Sequence, residues 1–250
     1  MKVIYDFGAN NGDDIPYYLR KADRVVAVDA NPVLTAAISQ RFQAEIAAGR
    51  VVVVNRVLVE TDSTDPVPFH VHRNESVRSQ FPRPSDSELS HFQTILVPAR
   101  RPSDIVREYG EPHYIKIDIE GYDAAVLREL FSAGVRPTYI SAESHHIDTF
   151  VLLAGIGGYR AFKLVDGPTV HTRYANAIIH RADGDEAYSF PSHAAGPFGD
   201  DIQGPWIAAD HFFRALAFAG LGWKDIHAAR DVTPNPDYQP PVIVAVNCRF

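Results

Sequence analysis

Two stretches, VIYDFGANNGDD (residues 3–14) and RVVAVDANP (residues 24–32), decide the fold. Val3 to Phe7 reads as a buried strand, Asp13 to Lys21 as a helix and Arg24 to Asp29 as a second strand, which is a βαβ unit. Asp13 and Asp14 stand where a helix N-terminus favours carboxylates, and Pro16 fits only a first turn, so two signals place the helix start.

Working outward, Pro32 opens a helix to about Ala48, which Gly49 stops. Val51 to Val54 is a strand apolar on both faces, the pattern of the middle of a covered parallel sheet. From Asn55 to Arg101 the pattern loosens into edge strands and a loop at Arg73 to Pro84. Tyr114 to Asp118 and Tyr139 to Ala142 are further strands, separated by a helix from Tyr122 to Ala133. A short helix at Ile147 to Ala154 precedes a strand at Tyr159 to Val165. The alternation predicts an α/β fold with a doubly wound, mostly parallel sheet. Residues 1–166 form its core, 167–240 an insert or lid, and 241–250 the closing strand, with VIVAVN at Val242 to Asn247.

The 250 residues carry 24 Lys+Arg against 31 Asp+Glu, a formal net charge of −7 without a basic run, so no nucleic-acid partner is expected. The hydrophobic share of 46% excludes disorder, and no 18-residue apolar span marks a membrane helix. The lone cysteine, Cys248, forms no internal disulfide and reads as a small buried side chain; without an apolar leader, a cytoplasmic protein is expected.

In such sheets ligands bind beyond the carboxyl ends of the strands. There the sequence sets Asp6, Gly8, Asn10, Asn11, Gly12 and Asp13 after the first strand, and Asp29 and Ala30 after the second. The glycines let the backbone turn and approach a ligand, and Asp29 suits the two hydroxyls of a ribose. A dinucleotide fingerprint starting at Gly8 would need glycines where Asn10 and Asp13 stand, and the Asp13 carboxylate would oppose a pyrophosphate. S-adenosylmethionine has no phosphate and carries a cationic amine and sulfonium, which carboxylates favour. Asn55, after the third strand, is either an adenine contact or a turn residue.

DFGANNGDD, VVAVDANP, YIKIDIEGYDAAVL and RPTYISAE together resemble the FkbM family of S-adenosylmethionine-dependent methyltransferases, most specifically in the Lys116 to Gly121 block. The resemblance implies a class I, Rossmann-like methyltransferase fold and O-methylation, commonly of sugar hydroxyls in polysaccharides or glycosylated natural products. Asp29 stands where many relatives have Glu, and Gly196 to Trp206 is similar to an insert in some glycan-modifying relatives.

Beyond the fourth and fifth strands lie Asp118 and Glu120, then Glu143 and His145, each pair spaced by two and so able to face one way. Converging carboxylates need compensation, either from a divalent ion such as Mg²⁺ on Asp118, Glu120, Glu143 and His145, or from pairing with Lys116 or an arginine. Methyl transfer to oxygen needs a base; His145 is the first candidate and His146 the second, with Asp118 and Glu120 as catalytic partners. Against this, the histidines are also read as a helix N-terminal feature and the carboxylates as a network bonding loop amides.

His70 and His72 either line the cleft or belong to a hairpin, and Arg73, Arg78 and Arg83 either grip substrate or form a solvated face. Trp206, Phe212, Phe213 and Trp223 either stack on sugar faces or fill a core, and His211 to Trp223 suits a homodimer contact. Methyl transfer to nitrogen, on an amino sugar or peptide, and a non-catalytic adenosine-binding module are the alternatives.

Overall fold

Along the first strand Val3, Tyr5 and Phe7 enter one hydrophobic cluster while Ile4 enters another, so the strand is buried on both faces. The computed structural model describes residues 1–238. In chain order its elements begin β1 (Val3–Phe7), α1 (Ile15–Lys21), β2 (Arg24–Asp29), α2 (Pro32–Arg41), α3 (Gln43–Ala47), β3 (Val51–Asn55) and β4 (Val57–Leu58). There follow β5 (Pro66–His72), β6 (Phe92–Arg100), α4 (Pro102–Tyr109), β7 (Pro112–Ile117), α5 (Asp123–Ser132), β8 (Tyr139–Ser144), α6 (Ile147–Val151) and β9 (Ala161–Asp166). The last are α7 (Val170–Arg173), β10 (Ala177–Ile179), β11 (Glu186–Tyr188), β12 (Ile207–Ala208), α8 (Ala209–Ala219) and β13 (Gly222–Ala229).

The central sheet runs β12-β9-β13-β8-β7-β1-β2-β3. Neighbours from β8 through β3 are parallel, whereas β13 lies antiparallel between β8 and β9. This is the expected doubly wound α/β sheet, with α4, α5 and α8 contributing to the core of one face and α1 to that of the other. A small sheet of order β4-β6-β5 and a hairpin of β10 and β11 flank it. Among the described residues no helix is long and apolar enough to cross a membrane.

Four expectations need correction. The four valines end the sheet order instead of sitting in its middle, although Val52 and Val53 pack on opposite faces. The helix expected over Pro32 to Ala48 breaks at Phe42, whose ring is buried in the core. Helix α1 starts at Ile15, and neither Asp13 nor Asp14 caps it: Asp13 accepts from Arg41, Asn11 and no helix amide, while Asp14 reaches residue 195. The segment 167–240 is not wholly an insert, because β12, α8 and β13 belong to the sheet and its packing. Lys224, Asp225 and His227 disguise β13 as a polar loop, yet Asp225 and His227 are buried in it. The closing strand expected at Val242 to Asn247, and Cys248, lie outside the described residues. In α8, Phe212 and Leu216 are buried and Phe213 and Phe218 exposed.

Gly8 ends β1 with φ +87°, and a Cβ built there would lie 1.8 Å from the carbonyl oxygen of Asp118. The glycine is required by a neighbouring strand end, quite apart from any ligand. Replacing Gly8 with Ala is expected to destabilise the protein by at least about 3 kcal/mol, seen as a lowered urea midpoint. A midpoint unchanged from wild type would refute this account of the turn.

Candidate active site

At the carboxyl ends of the parallel strands the turn after β1 folds over β2. The amides of Gly8 and Ala9 donate to the Val28 carbonyl at 2.9 and 3.0 Å. The amides of Asn10 and Asn31 each donate to one Asp29 oxygen at 2.8 Å, so the carboxylate is held in place by backbone. Burial pushes the Asp29 pKa up to about 6 against those two hydrogen bonds. Asn55 donates from Nδ2 to the carbonyls of Asp29 and Ala30 at 3.0 Å each, fastening the end of β2.

Beneath this turn Lys116 is 3% exposed. Its β1 register partner is Asp6, so the two side chains share a face of the sheet. Lys116 Nζ lies 3.0 Å from Asp118 Oδ2, 3.5 Å from Asp6 Oδ1 and 3.9 Å from Asp14 Oδ2. Burial works to neutralise the ammonium, but Asp118, Asp6 and Asp14 outweigh it and hold its pKa well above the ordinary lysine value. Asp14 also accepts the Ala195 amide through both oxygens, at 3.0 and 3.2 Å. Burial raises Asp14 to about 7 despite Lys116.

Past β7 the chain turns sharply at Glu120, which has φ +32°, and Asp123 accepts the Ile119 amide at 3.0 Å. One oxygen from each of Asp118, Glu120 and Glu143 lies within 4.8 Å of the others. Glu143 is 4% exposed, and burial together with Asp118, Asp123 and Glu120 pushes it up to about 10. Glu120 and Asp123 are each raised to about 7, chiefly by burial and then by Asp118. His145 Nε2 lies 3.3 Å from Glu143 Oε2.

These groups open on one cavity of about 450 Å³. Gly8, Asn10, Asn11, Asp29, Ala30 and Asp118 of the expected donor-binding residues line it, as do Glu120, Glu143 and His145. Asp6, Gly12, Asp13 and Asn55 stand outside its wall. Asp6 backs Lys116, Gly12 packs beneath Ile38 and Phe42, Asp13 pairs with Arg41 at 2.7 Å, and Asn55 holds the β2 end. His146 is exposed at the N-cap of α6 and does not line the cavity, which is the helix-terminal reading for that residue.

Sequence reasoning missed other wall residues. Asp14, Asn31, Ser76, Val77, Phe81 and His193 are among them, while Lys116 and Trp223, singled out from sequence as a carboxylate partner and a stacking ring, also line the wall. The Arg73 to Pro84 loop therefore does reach the cavity, but through Ser76, Val77, Ser79, Gln80 and Phe81 and not through its arginines. Arg78 pairs with Glu75 and Arg83 with Asp86 at the surface. His70 and His72 are buried in the small sheet, bonding Thr94 and the Glu75 amide. Of the four candidate aromatics Trp223 alone lines the cavity; Trp206 stacks on Tyr139 and Phe212 is core.

The wall carries Asp14, Asp29, Asp118, Glu120 and Glu143 against the cations Lys116 and Arg56. A wall so rich in carboxyl oxygens opposes a diphosphate and suits a ligand that carries positive charge, as the amine and sulfonium of S-adenosylmethionine do. A doubly wound sheet in which β12 and β13 run against the other six strands, with an Asp-anchored turn after its first strand, is a class I, Rossmann-like methyltransferase fold. Residues 6–167 match the methyltransferase FkbM domain, and the chain belongs to this family of S-adenosylmethionine-dependent methyltransferases. No curated protein sequence matches the chain.

Among solved structures the chain is similar to methyltransferase FkbM from Methylobacillus flagellatus KT, with 17% identity and a TM-score of 0.44 over 65% of this chain and 39% of that one. It is also similar to precorrin-6y C5,15-methyltransferase from Geobacter metallireducens GS-15, with 11% identity and a TM-score of 0.40 over 92% and 80% of the two chains. A third is an S-adenosylmethionine-dependent O-methyltransferase from Thermotoga maritima, with 7% identity and a TM-score of 0.41 over 94% and 61%.

The raised carboxyl pKa values have a consequence for stability. Carboxyl groups at about 7 (Asp14, Glu120, Asp123) and about 10 (Glu143) bind more protons folded than unfolded once pH exceeds the ordinary carboxyl value of about 4. Their contribution is full at low pH and is lost as pH rises through the folded values. Buried His113 and His227, lowered to about 4 and about 3, pull the other way only below the ordinary histidine value of about 6.5. The melting temperature is therefore expected to fall as pH rises from about 6.5 to 9, and Glu143→Gln to flatten that fall. Calorimetric melts showing a rise over this window would contradict the assignment.

Proposed function

We propose that the protein methylates a hydroxyl of a sugar, oligosaccharide or glycosylated natural product. The observation that carries the reading is that His145, beside the buried Glu143, opens on the same cavity as the Asp29 turn. A ligand spanning that cavity thus has a ribose anchor at one end and a proton acceptor at the other. Bound there, S-adenosylmethionine supplies an electrophilic methyl group on a sulfonium.

The Asp29 turn would hold the donor, which would supply the methyl group to the acceptor hydroxyl oxygen and leave as the neutral thioether. The hydroxyl proton would pass to His145, whose Nε2 lies 3.3 Å from Glu143 Oε2. Much of the rate would then come from alignment in the cavity and from this proton removal. Asp29, held by two amides, orients the ribose without needing to move.

Trp223 supports a sugar as the acceptor. Its indole is 41% exposed, lines the cavity, and packs over Gly167, where a Cβ would lie 2.5 Å from its Nε1. A flat apolar ring with a fixed pose suits the face of a pyranose. Nitrogen as the acceptor atom fits less well, because a neutral amine needs no base before it attacks.

Two measurements test the reading. Titration calorimetry is expected to give saturable binding of S-adenosylmethionine and none of NAD; the reverse result would sink the methyltransferase reading. With a panel of oligosaccharide acceptors and labelled donor, His145→Ala is expected to lower kcat by about 10²-fold or more while His146→Ala stays near wild type, donor binding being kept in both. Equal losses in the two variants would remove His145 from the role of base.

A further inference from the structure

The carboxyl groups outnumber what Lys116 can compensate. Its ammonium reaches Asp118, Asp6 and Asp14, and Gly8 offers only a carbonyl at 3.4 Å. Glu120 and Glu143 lie outside the Lys116 ion pairs. Glu143 is 4% exposed, yet its Oε2 accepts no hydrogen bond. His145 approaches this atom at 3.3 Å without hydrogen-bond alignment.

A second strand repeats the pattern. Asp225 of β13 is the register partner of Glu143, so the two side chains lie on one face of the sheet. Asp225 is 3% exposed and its Oδ1 likewise has no partner. Buried polar atoms of this kind are rare and call for a missing ligand or proton. Glu143 lines the cavity together with Asp118 and Glu120, and one oxygen from each of the three lies within 4.8 Å of the others.

We infer that Asp118, Glu120 and Glu143 form a binding site for one hard divalent cation of the Mg²⁺ or Mn²⁺ type. The mutual separation of their oxygens, within 4.8 Å, suits a single ion, since oxygens about 2.1 Å from Mg²⁺ stand about 3 to 4.2 Å apart. An all-oxygen set selects a hard ion over zinc. His145 is not one of the three ligands, a departure from the ligand set expected from sequence, which leaves its ring free to act as a base. Lys116 fixes Asp118 through Oδ2 and leaves Oδ1 for the ion. All three residues line the cavity, so an acceptor oxygen entering it could meet such an ion and would become more acidic there. That last role rests on the methyl-transfer reading, whereas the ion site itself does not.

The test is Mn²⁺ titration of the donor-free protein, followed by loss of the free-ion paramagnetic resonance signal and by calorimetry. One Mn²⁺ per chain is expected, with affinity lowered at least about tenfold in both Glu120→Gln and Glu143→Gln, and unchanged in the exposed control Asp148→Asn. Glu120 is the less buried ligand, so its variant keeps the test readable where Glu143→Gln fails to fold. Binding of S-adenosylhomocysteine is expected to persist in both variants. Absence of saturable Mn²⁺ binding into the millimolar range, or equal affinity in wild type and both variants, would overturn the site. Failure of wild type to bind S-adenosylhomocysteine would instead overturn the methyl-transfer reading, because the Mn²⁺ titration is run without it.

Discussion

One ammonium holds this molecule's working end together. Lys116 stands at the middle of the sheet, within 3.0 to 3.9 Å of carboxylates from β1, from the start of α1 and from the end of β7. Three chain segments that must converge to make a cavity are thus each tied to the same buried charge. Removing such a centre leaves buried carboxylates facing one another, at a cost of about 3–5 kcal/mol for a broken buried pair. The arrangement also explains why Asp6 lies off the cavity wall: it serves the lysine that serves the wall.

Around that centre the cavity is assembled from parts far apart in sequence. The turn after β1 is threaded under the Asp118 carbonyl and pinned to Asp29. The loop after β5 leans in, with Ser76 Oγ donating to Asn10 Oδ1 at 3.4 Å. From the other side Asp14 anchors residue 195, bringing His193 to the rim. The floor is therefore rigid, polar and charged, while the walls come from loops whose contacts are single hydrogen bonds and apolar side chains. Such a division suits a constant donor and a variable acceptor.

Much of this was legible in the residues. A buried strand, a glycine turn and an acid at the next strand's end announce their own geometry, because each step is local. Asp118, Glu120 and Glu143 were legible through period-two spacing at strand ends. Three kinds of residue were not. Gly8 looked like a residue shaped for a ligand, but its neighbour is a carbonyl 110 positions along the chain, and no local pattern reports that. Asp225 and His227 looked like loop polarity because a strand beside a buried charge cluster need not be apolar. Asp14 looked like a helix cap, since nothing local reveals a partner at residue 195.

The reversed strand β13 carries an implication for how the chain reaches its native state. It lies between β8 and β9, bonded to both along most of its length. When residues 1–166 have left the ribosome, the two strands that will flank it have no ladder partner on their facing edges. Neither can pair with the other in its native place without closing the gap. The pairing of β13 with both must wait for residues 222–229, long after the parallel strands β1, β2, β3, β7 and β8 have been made.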